Sequence, residues 1–174
     1  MEHFSSFSPN FTLSIPQNYL FWGNSTGKEM KAMSFVGWYK HSLDAKGRVF
    51  IPSKFREELG DEFYITRKFD RFLSIYTAED WAVYVEKIEK LPESDAMDLQ
   101  EFLLGAAQKC VPDANGRIIL NDELAEYAEI NKNIVFVGVG KVIRIWAEDK
   151  WIERERERTN NPEKIRAKMS EYGL

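Results

Sequence analysis

Leu43-Asp44-Ala45-Lys46-Gly47-Arg48-Val49-Phe50-Ile51-Pro52 returns in altered form as Val111-Pro112-Asp113-Ala114-Asn115-Gly116-Arg117-Ile118-Ile119-Leu120. Both copies read Asp-Ala-x-Gly-Arg followed by an apolar, strand-forming run. The spacing from Asp44 to Asp113 equals that from Arg48 to Arg117, which marks an internal repeat and a fold built in two halves. Asp44 can accept backbone N–H groups two or more residues on, which favours a tight turn. Gly47 supplies positive φ without a Cβ clash. Val49, Phe50 and Ile51 are strand formers. Each copy therefore reads as a turn feeding a strand, with Lys46 and Arg48 in or beside the tip. A single copy would fit a hairpin whose Arg is solvated or pairs back to its own Asp. A basic tip that occurs twice points to a repeated contact.

The bulk composition sets the frame. The chain has 174 residues, 44% hydrophobic and 14% aromatic, which suits one compact domain or two small ones sharing a core. Cys110, the single cysteine, cannot form an internal disulfide and reads as a small buried hydrophobe. A reducing, cytoplasmic setting fits that usage. The formal net charge is -4, so nothing at whole-chain level advertises nucleic acid. Phosphate contact, however, depends on where Lys and Arg sit. No run is long and apolar enough to span a membrane as a helix. The two histidines are His3 and His41, and His41 has no counterpart in the second copy. Neither metal-ligand spacing nor a nucleophile–base arrangement is legible, so no catalytic residue or metal site is expected.

Outward from the first turn, Phe35 to Ser42 and Arg48 to Ile51 read as strands. Pro52 opens a short helix with Phe55 and Leu59 on one face, ended by Gly60. Phe63 to Thr66 and Phe72 to Tyr76 are further strands joined by the basic turn Arg67 to Arg71. Thr77 and Asp80 resemble a helix-start cap. The helix that follows places Trp81, Tyr84, Val85 and Ile88 on one side. Ser94 to Gly105 reads as a linking helix with Leu99, Phe102, Leu103 and Ala106 as its apolar face. The second half repeats the plan: strands at Ala106 to Val111 and Arg117 to Leu120, a cap at Asn121, Leu124 and Ala128 in place of Phe55 and Leu59, and strands at Ile134 to Val139 and Val142 to Trp146. Trp151 to Arg158 alternates Glu and Arg as a solvated helix with opposite charges three apart. Asn160-Asn161-Pro162 interrupts it, and Glu163 to Tyr172 makes one more short helix. Residues 1–32 follow no period and are expected to be a loosely ordered extension, or the product of start-site choice with Met30 or Met33 as alternatives. Gly23-Asn24-Ser25-Thr26-Gly27-Lys28 lacks the spacing, the following Ser or Thr and the preceding strand of a phosphate-binding loop.

Phe35 through Pro52 resembles the opening of the MraZ family. Phe55-Arg56-Glu57-Glu58-Leu59, Gly105-Ala106-Ala107, Asp113 to Arg117, Val137-Gly138-Val139-Gly140 and Ile145-Trp146 fit the same family in the same order, so the resemblance covers about residues 33–158. It implies an α+β fold of two tandem AbrB-like (SpoVT-AbrB) swapped-hairpin halves that form a small β-barrel-like core with flanking helices. The corresponding divisions are residues 1–32 as an extension, 35–91 as the first repeat, 92–105 as a linking helix, 106–158 as the second repeat and 159–174 as a tail. The resemblance further implies a cytoplasmic, nucleoid-associated transcriptional regulator without a cofactor, assembled as a ring-shaped homo-oligomer. Its partner would be double-stranded DNA carrying direct repeats in the promoter of the division and cell-wall gene cluster.

By position, Arg48 and Arg117 carry the family's DNA contacts, with Lys46 beside them. Asp44, Gly47, Asp113 and Gly116 shape the turns. The second copy has Asn115 for Lys46 and Asn121 for Pro52, so its turn is expected to bind phosphate more weakly. The alternative is a protein-partner module of the antitoxin type, in which the helices around Trp81 and Trp151 face a partner.

Overall fold

The computed structural model describes residues 35–174; the expectations for residues 1–32, including the Gly23–Lys28 segment, fall outside the described residues. The eight strands are β1 (Phe35–Ser42), β2 (Arg48–Phe50), β3 (Phe63–Lys68), β4 (Phe72–Thr77), β5 (Gln108–Cys110), β6 (Arg117–Ile119), β7 (Asn133–Gly140) and β8 (Ile143–Ala147). The helices are α1 (Ser53–Leu59), α2 (Ala78–Glu89), α3 (Glu93–Leu99), α4 (Asp122–Tyr127), α5 (Glu148–Asn160) and α6 (Pro162–Glu171).

Six strands form one antiparallel sheet in the order β1-β7-β8-β4-β3-β5, and β2 pairs with β6 as a separate two-stranded ribbon. The order reads the same from both edges once the halves are matched. The first strand of each half pairs with the third strand of the other, as β1 with β7 and β3 with β5. The fourth strands, β4 and β8, meet at the centre. The hairpins β3–β4 and β7–β8 stay within their halves.

The sheet is open, which corrects the expected barrel-like core. β1 and β5 each have a single sheet neighbour, and the strands that follow them, β2 and β6, pair with each other instead of closing the sheet.

Period-two alternation sends Phe63, Ile65, Leu73, Ile75, Ile143 and Ile145 to one face of the sheet. There they meet Val49 and Ile118 of the ribbon, Phe55 and Leu59 of α1, and Leu124 of α4 as one core. On the opposite face Trp151 of α5 packs with Val135, Val137 and Trp146, while Trp81 of α2 stacks on Tyr64 at 5.2 Å. The aromatic stripe of α2 is thus packed on the sheet.

Local capping follows the sequence. The Thr77 hydroxyl accepts from the Asp80 N–H, and the Asn121 side chain accepts from the Leu124 N–H. Arg158 pairs with Glu155 three residues back, as the alternating charges of α5 predict. Cys110 is buried, and desolvation pushes its thiol up to about 12, so it stays protonated and unreactive at neutral pH.

The linking helix departs from expectation. It is α-helical only to Leu99 and continues as a π-helix over Gln100–Leu104. Its carbonyls are engaged from the sheet: Thr66 donates its hydroxyl to the Leu103 carbonyl, and Arg67 Nε donates to the Phe102 carbonyl at 2.6 Å. Leu103 is carried into contact with the interior, while Phe102 stacks on Phe69 outside.

Candidate nucleic-acid interface

The two Asp turns have one geometry. Asp44 Oδ1 accepts the N–H groups of Lys46 and Arg48, each at 2.9 Å. Its Oδ2 accepts from Arg48 Nε and pairs with Nη2, both at 2.7 Å. Asp113 repeats the arrangement with the N–H groups of Asn115 and Arg117 at 2.9 Å, and with Arg117 Nε at 2.8 Å and Nη2 at 2.7 Å. Gly47 and Gly116 take φ of +69° and +76°, the left-handed region open to glycine. Each glycine N–H donates back to the Asp carbonyl of its own turn, at 3.0 Å and 2.8 Å. Each arginine pairs with its own aspartate through Nε and Nη2, which leaves Nη1 out of the pair. A guanidinium held in this way is pre-set in direction, so less side-chain entropy is lost when it meets a second acceptor.

The electrostatics follow. The Arg48 guanidinium, and then the backbone N–H groups of Arg48 and Lys46, hold the Asp44 carboxyl well below its usual range, at about 2. Asp113 is lowered by the same kinds of donors from Arg117 and Asn115. A depressed folded-state value contributes stability that is present above the unfolded value of about 4 and is lost as pH falls through the folded one. The tip should therefore remain paired at pH 3 and open near pH 2. An NMR titration of the Asp44 carboxyl, followed with the Lys46 and Arg48 amides, should give one common midpoint far below that of an ordinary aspartate. A midpoint near 4 would mean that the pair does not form in solution.

The ribbon fixes where the two turns sit. Arg48 lies opposite Ile119, Val49 opposite Ile118 and Phe50 opposite Arg117. The Leu120 N–H donates to the Gly47 carbonyl and the Ile51 N–H donates to the Gly116 carbonyl, each at 3.0 Å, which extends the ladder at both ends. The turns thus cap opposite ends of the ribbon. They are four residues apart along it, about 13 Å at the rise of a strand.

Val49 and Ile118 face the core at 2% and 4% exposure. Alternation then turns Arg48, Phe50, Arg117 and Ile119 to the other side, and Phe50 and Ile119 are 50% and 59% exposed. Arg117 lies 5.7 Å from the Phe50 ring. The outer face is a small square of two guanidiniums and two apolar groups.

Arg48 and Arg117 come together on this face, and Lys46 is exposed at the first tip. Phe50 and Ile119 join the set; the two-residue alternation from each arginine was the signal for them. Arg56 of α1 joins it too, because its Nη1 lies 3.4 Å from the Asn115 carbonyl at the second tip. No pattern in the sequence ties Arg56 to a turn in the other half. Among the described residues no group of three His, Cys, Asp or Glu could hold a metal, and no helix is long and apolar enough to cross a membrane.

Comparison with known proteins gives a consistent result. The profile of the family described as "MraZ protein, putative antitoxin-like" matches residues 34–100 and 103–171. The chain is 42% identical over 141 residues to a protein of Caldicellulosiruptor saccharolyticus named transcriptional regulator MraZ, covering 80% of this chain and 99% of that one. A protein of the same name from Clostridium tetani is 42% identical over 142 residues, with 80% and 99% covered. A third, from Carboxydothermus hydrogenoformans, is 43% identical over 119 residues, with 67% and 83% covered.

Proposed function

The chain belongs to the MraZ family of transcriptional regulators, and from that premise we propose that it binds DNA sequence-specifically through the β2–β6 ribbon and its two tips. The observation that carries the reading is the outer face of the ribbon, where Arg48 and Arg117 stand beside Phe50 and Ile119. A two-stranded ribbon fits the major groove, which is about 12 Å wide. There an arginine can contact two acceptors on guanine, and an apolar side chain can meet the methyl group of thymine. Lys46 reaches phosphate from the first tip, which sets register and not sequence. Asp44 and Asp113 aim the arginines, and Gly47 and Gly116 let the backbone turn.

The halves act as tandem swapped hairpins of the AbrB-like type. The reciprocal pairing of β1 with β7 and of β3 with β5 supports that reading. The targets are direct repeats in the promoter of the division and cell-wall gene cluster. The setting is the cytoplasmic nucleoid, and the activity needs no cofactor.

One ribbon on a chain of net charge -4 binds weakly. A ring-shaped homo-oligomer that meets several repeats at once raises the effective concentration without a new contact.

Fluorescence anisotropy should test this with the duplex upstream of the chain's own gene against a scrambled duplex, at low and near-physiological salt. Preferential, strongly salt-dependent binding is expected, with a sedimentation mass several times 20.3 kDa. A monomer at micromolar concentration would contradict the avidity argument. An assembled oligomer that binds neither duplex would favour the protein-partner reading, which the antitoxin-like description of the family keeps in view.

A further inference from the structure

We infer that Arg56, on the first helix, is the phosphate-binding cation of the second tip and occupies there the place that Lys46 holds at the first. The inference rests on the DNA-binding reading and extends it to a residue outside both turns.

The two ends of the ribbon are built alike but charged differently. Because β2 runs antiparallel to β6, the helix that follows β2 begins beside the second tip, and the helix that follows β6 begins beside the first. The spacing that carries Asp44 to Asp113 carries Lys46 to Asn115 and Arg56 to Ala125. At the first tip, therefore, the turn supplies the cation and the neighbouring helix supplies alanine. At the second tip the turn supplies asparagine and the neighbouring helix supplies arginine. Over these two matched pairs of positions, each end has one cation besides the arginine paired to its aspartate.

The contact is close. Arg56 Nη1 lies 3.4 Å from the Asn115 carbonyl. A Cβ built on Gly116 would fall 2.1 Å from that same nitrogen and 2.8 Å from Arg56 Cδ. At Gly47 the nearest atom to such a Cβ would be the Leu120 carbonyl oxygen at 3.4 Å. Gly116 is thus buried beneath the Arg56 side chain, while Arg56 itself is exposed. Among the described residues no ion pair is formed by Arg56, so no carboxylate of those residues claims its charge. Arg56 offsets in this reading the cation that the second turn lacks at Asn115. A ribbon gripped at both ends, about 13 Å apart, can engage phosphates on both sides of the groove it enters.

The test compares the salt dependence of binding to the upstream duplex for the wild-type protein, Arg56→Met and Arg56→Lys. Methionine keeps an unbranched apolar stem over Gly116 without the charge, and lysine keeps the charge without the planar fork. Each phosphate contact contributes roughly 0.9 to the slope of log affinity against log salt. Arg56→Met should flatten the slope by about that much for each engaged subunit, so that the affinity it loses per site at about 50 mM salt exceeds the loss at about 200 mM roughly threefold. Arg56→Lys should restore the slope. Lys46→Ala should flatten it to the same degree, through the other tip.

Wild-type binding with an unchanged slope in Arg56→Met overturns the inference and leaves the DNA-binding reading standing. Equal loss at every salt concentration, not rescued by lysine, assigns Arg56 to supporting the turn and also overturns it. Absence of wild-type binding overturns both.

Discussion

Arg48→Ala is expected to abolish the preference for the upstream duplex over a scrambled one while leaving the fold intact, and Arg117→Ala should act in the same direction. A bidentate arginine–guanine contact discriminates by about 1–3 kcal/mol, which is about 5-fold to about 150-fold in affinity at one site. When several subunits engage repeated sites, the losses multiply, so the specific complex should disappear within the measurable range. The fold should survive because the substitution keeps most of what builds the turn. The Arg48 and Lys46 N–H groups still reach Asp44 Oδ1, and Gly47 keeps its positive φ. The side-chain pair itself is exposed, and such pairs add little to stability. Anisotropy against both duplexes, with circular dichroism of each variant, separates the outcomes. Unchanged discrimination in both variants would remove the turns from the interface.

Phe55→Ala should be the most damaging change to stability among the positions that support the ribbon. Phe55 is 2% exposed and meets Phe35 edge-on at 5.6 Å and Tyr39 at 5.1 Å. Truncating a buried phenylalanine costs about 3–5 kcal/mol, against a total of about 5–15 kcal/mol for a typical domain. The helix that carries it has seven residues, too few to persist without tertiary contacts. Phe55 and Leu59 are its buried anchors, so the loss also frees the segment that holds Arg56 over the second tip. Urea denaturation should show a midpoint far below that of the wild type. A difference under about 1 kcal/mol would contradict the packing described for α1.

The elements of this fold were legible wherever the deciding interaction is local. Phe35–Ser42 reads as a strand from its residues and is one. Thr77 and Asn121 cap helices because each side chain reaches an N–H three residues on. The tight turns at Asp44 and Asp113 are equally local, since the hydrogen bonds that each aspartate side chain accepts fall within five consecutive residues. Phe50 and Ile119 were implicit in the alternation from Arg48 and Arg117, although which face of each strand meets solvent needed the core to be placed.

The linking helix was legible as a helix, but its π-helical second part was not, because that part is engaged by Thr66 and Arg67, which are 37 and 35 residues away from the carbonyls they reach. The barrel-like core was expected by resemblance, and the open sheet follows from partner choice among strands. Composition and propensity mark a segment as a strand without saying which other strand it pairs with.

By itself the amino-acid sequence determined the repeat, the strands and short helices, the caps, and the two Asp-Arg turns, because each depends on φ preferences and hydrogen bonds within a few residues. Tertiary structure alone decided that the halves exchange strands and that β2 and β6 form an outward ribbon with a tip at each end. It also decided that Arg56 lies over a glycine of the opposite half, 60 positions along the chain from it. Those placements depend on burying Val49, Ile118, Phe55 and Leu124 in one shared core, an energy that exists only when both halves are present.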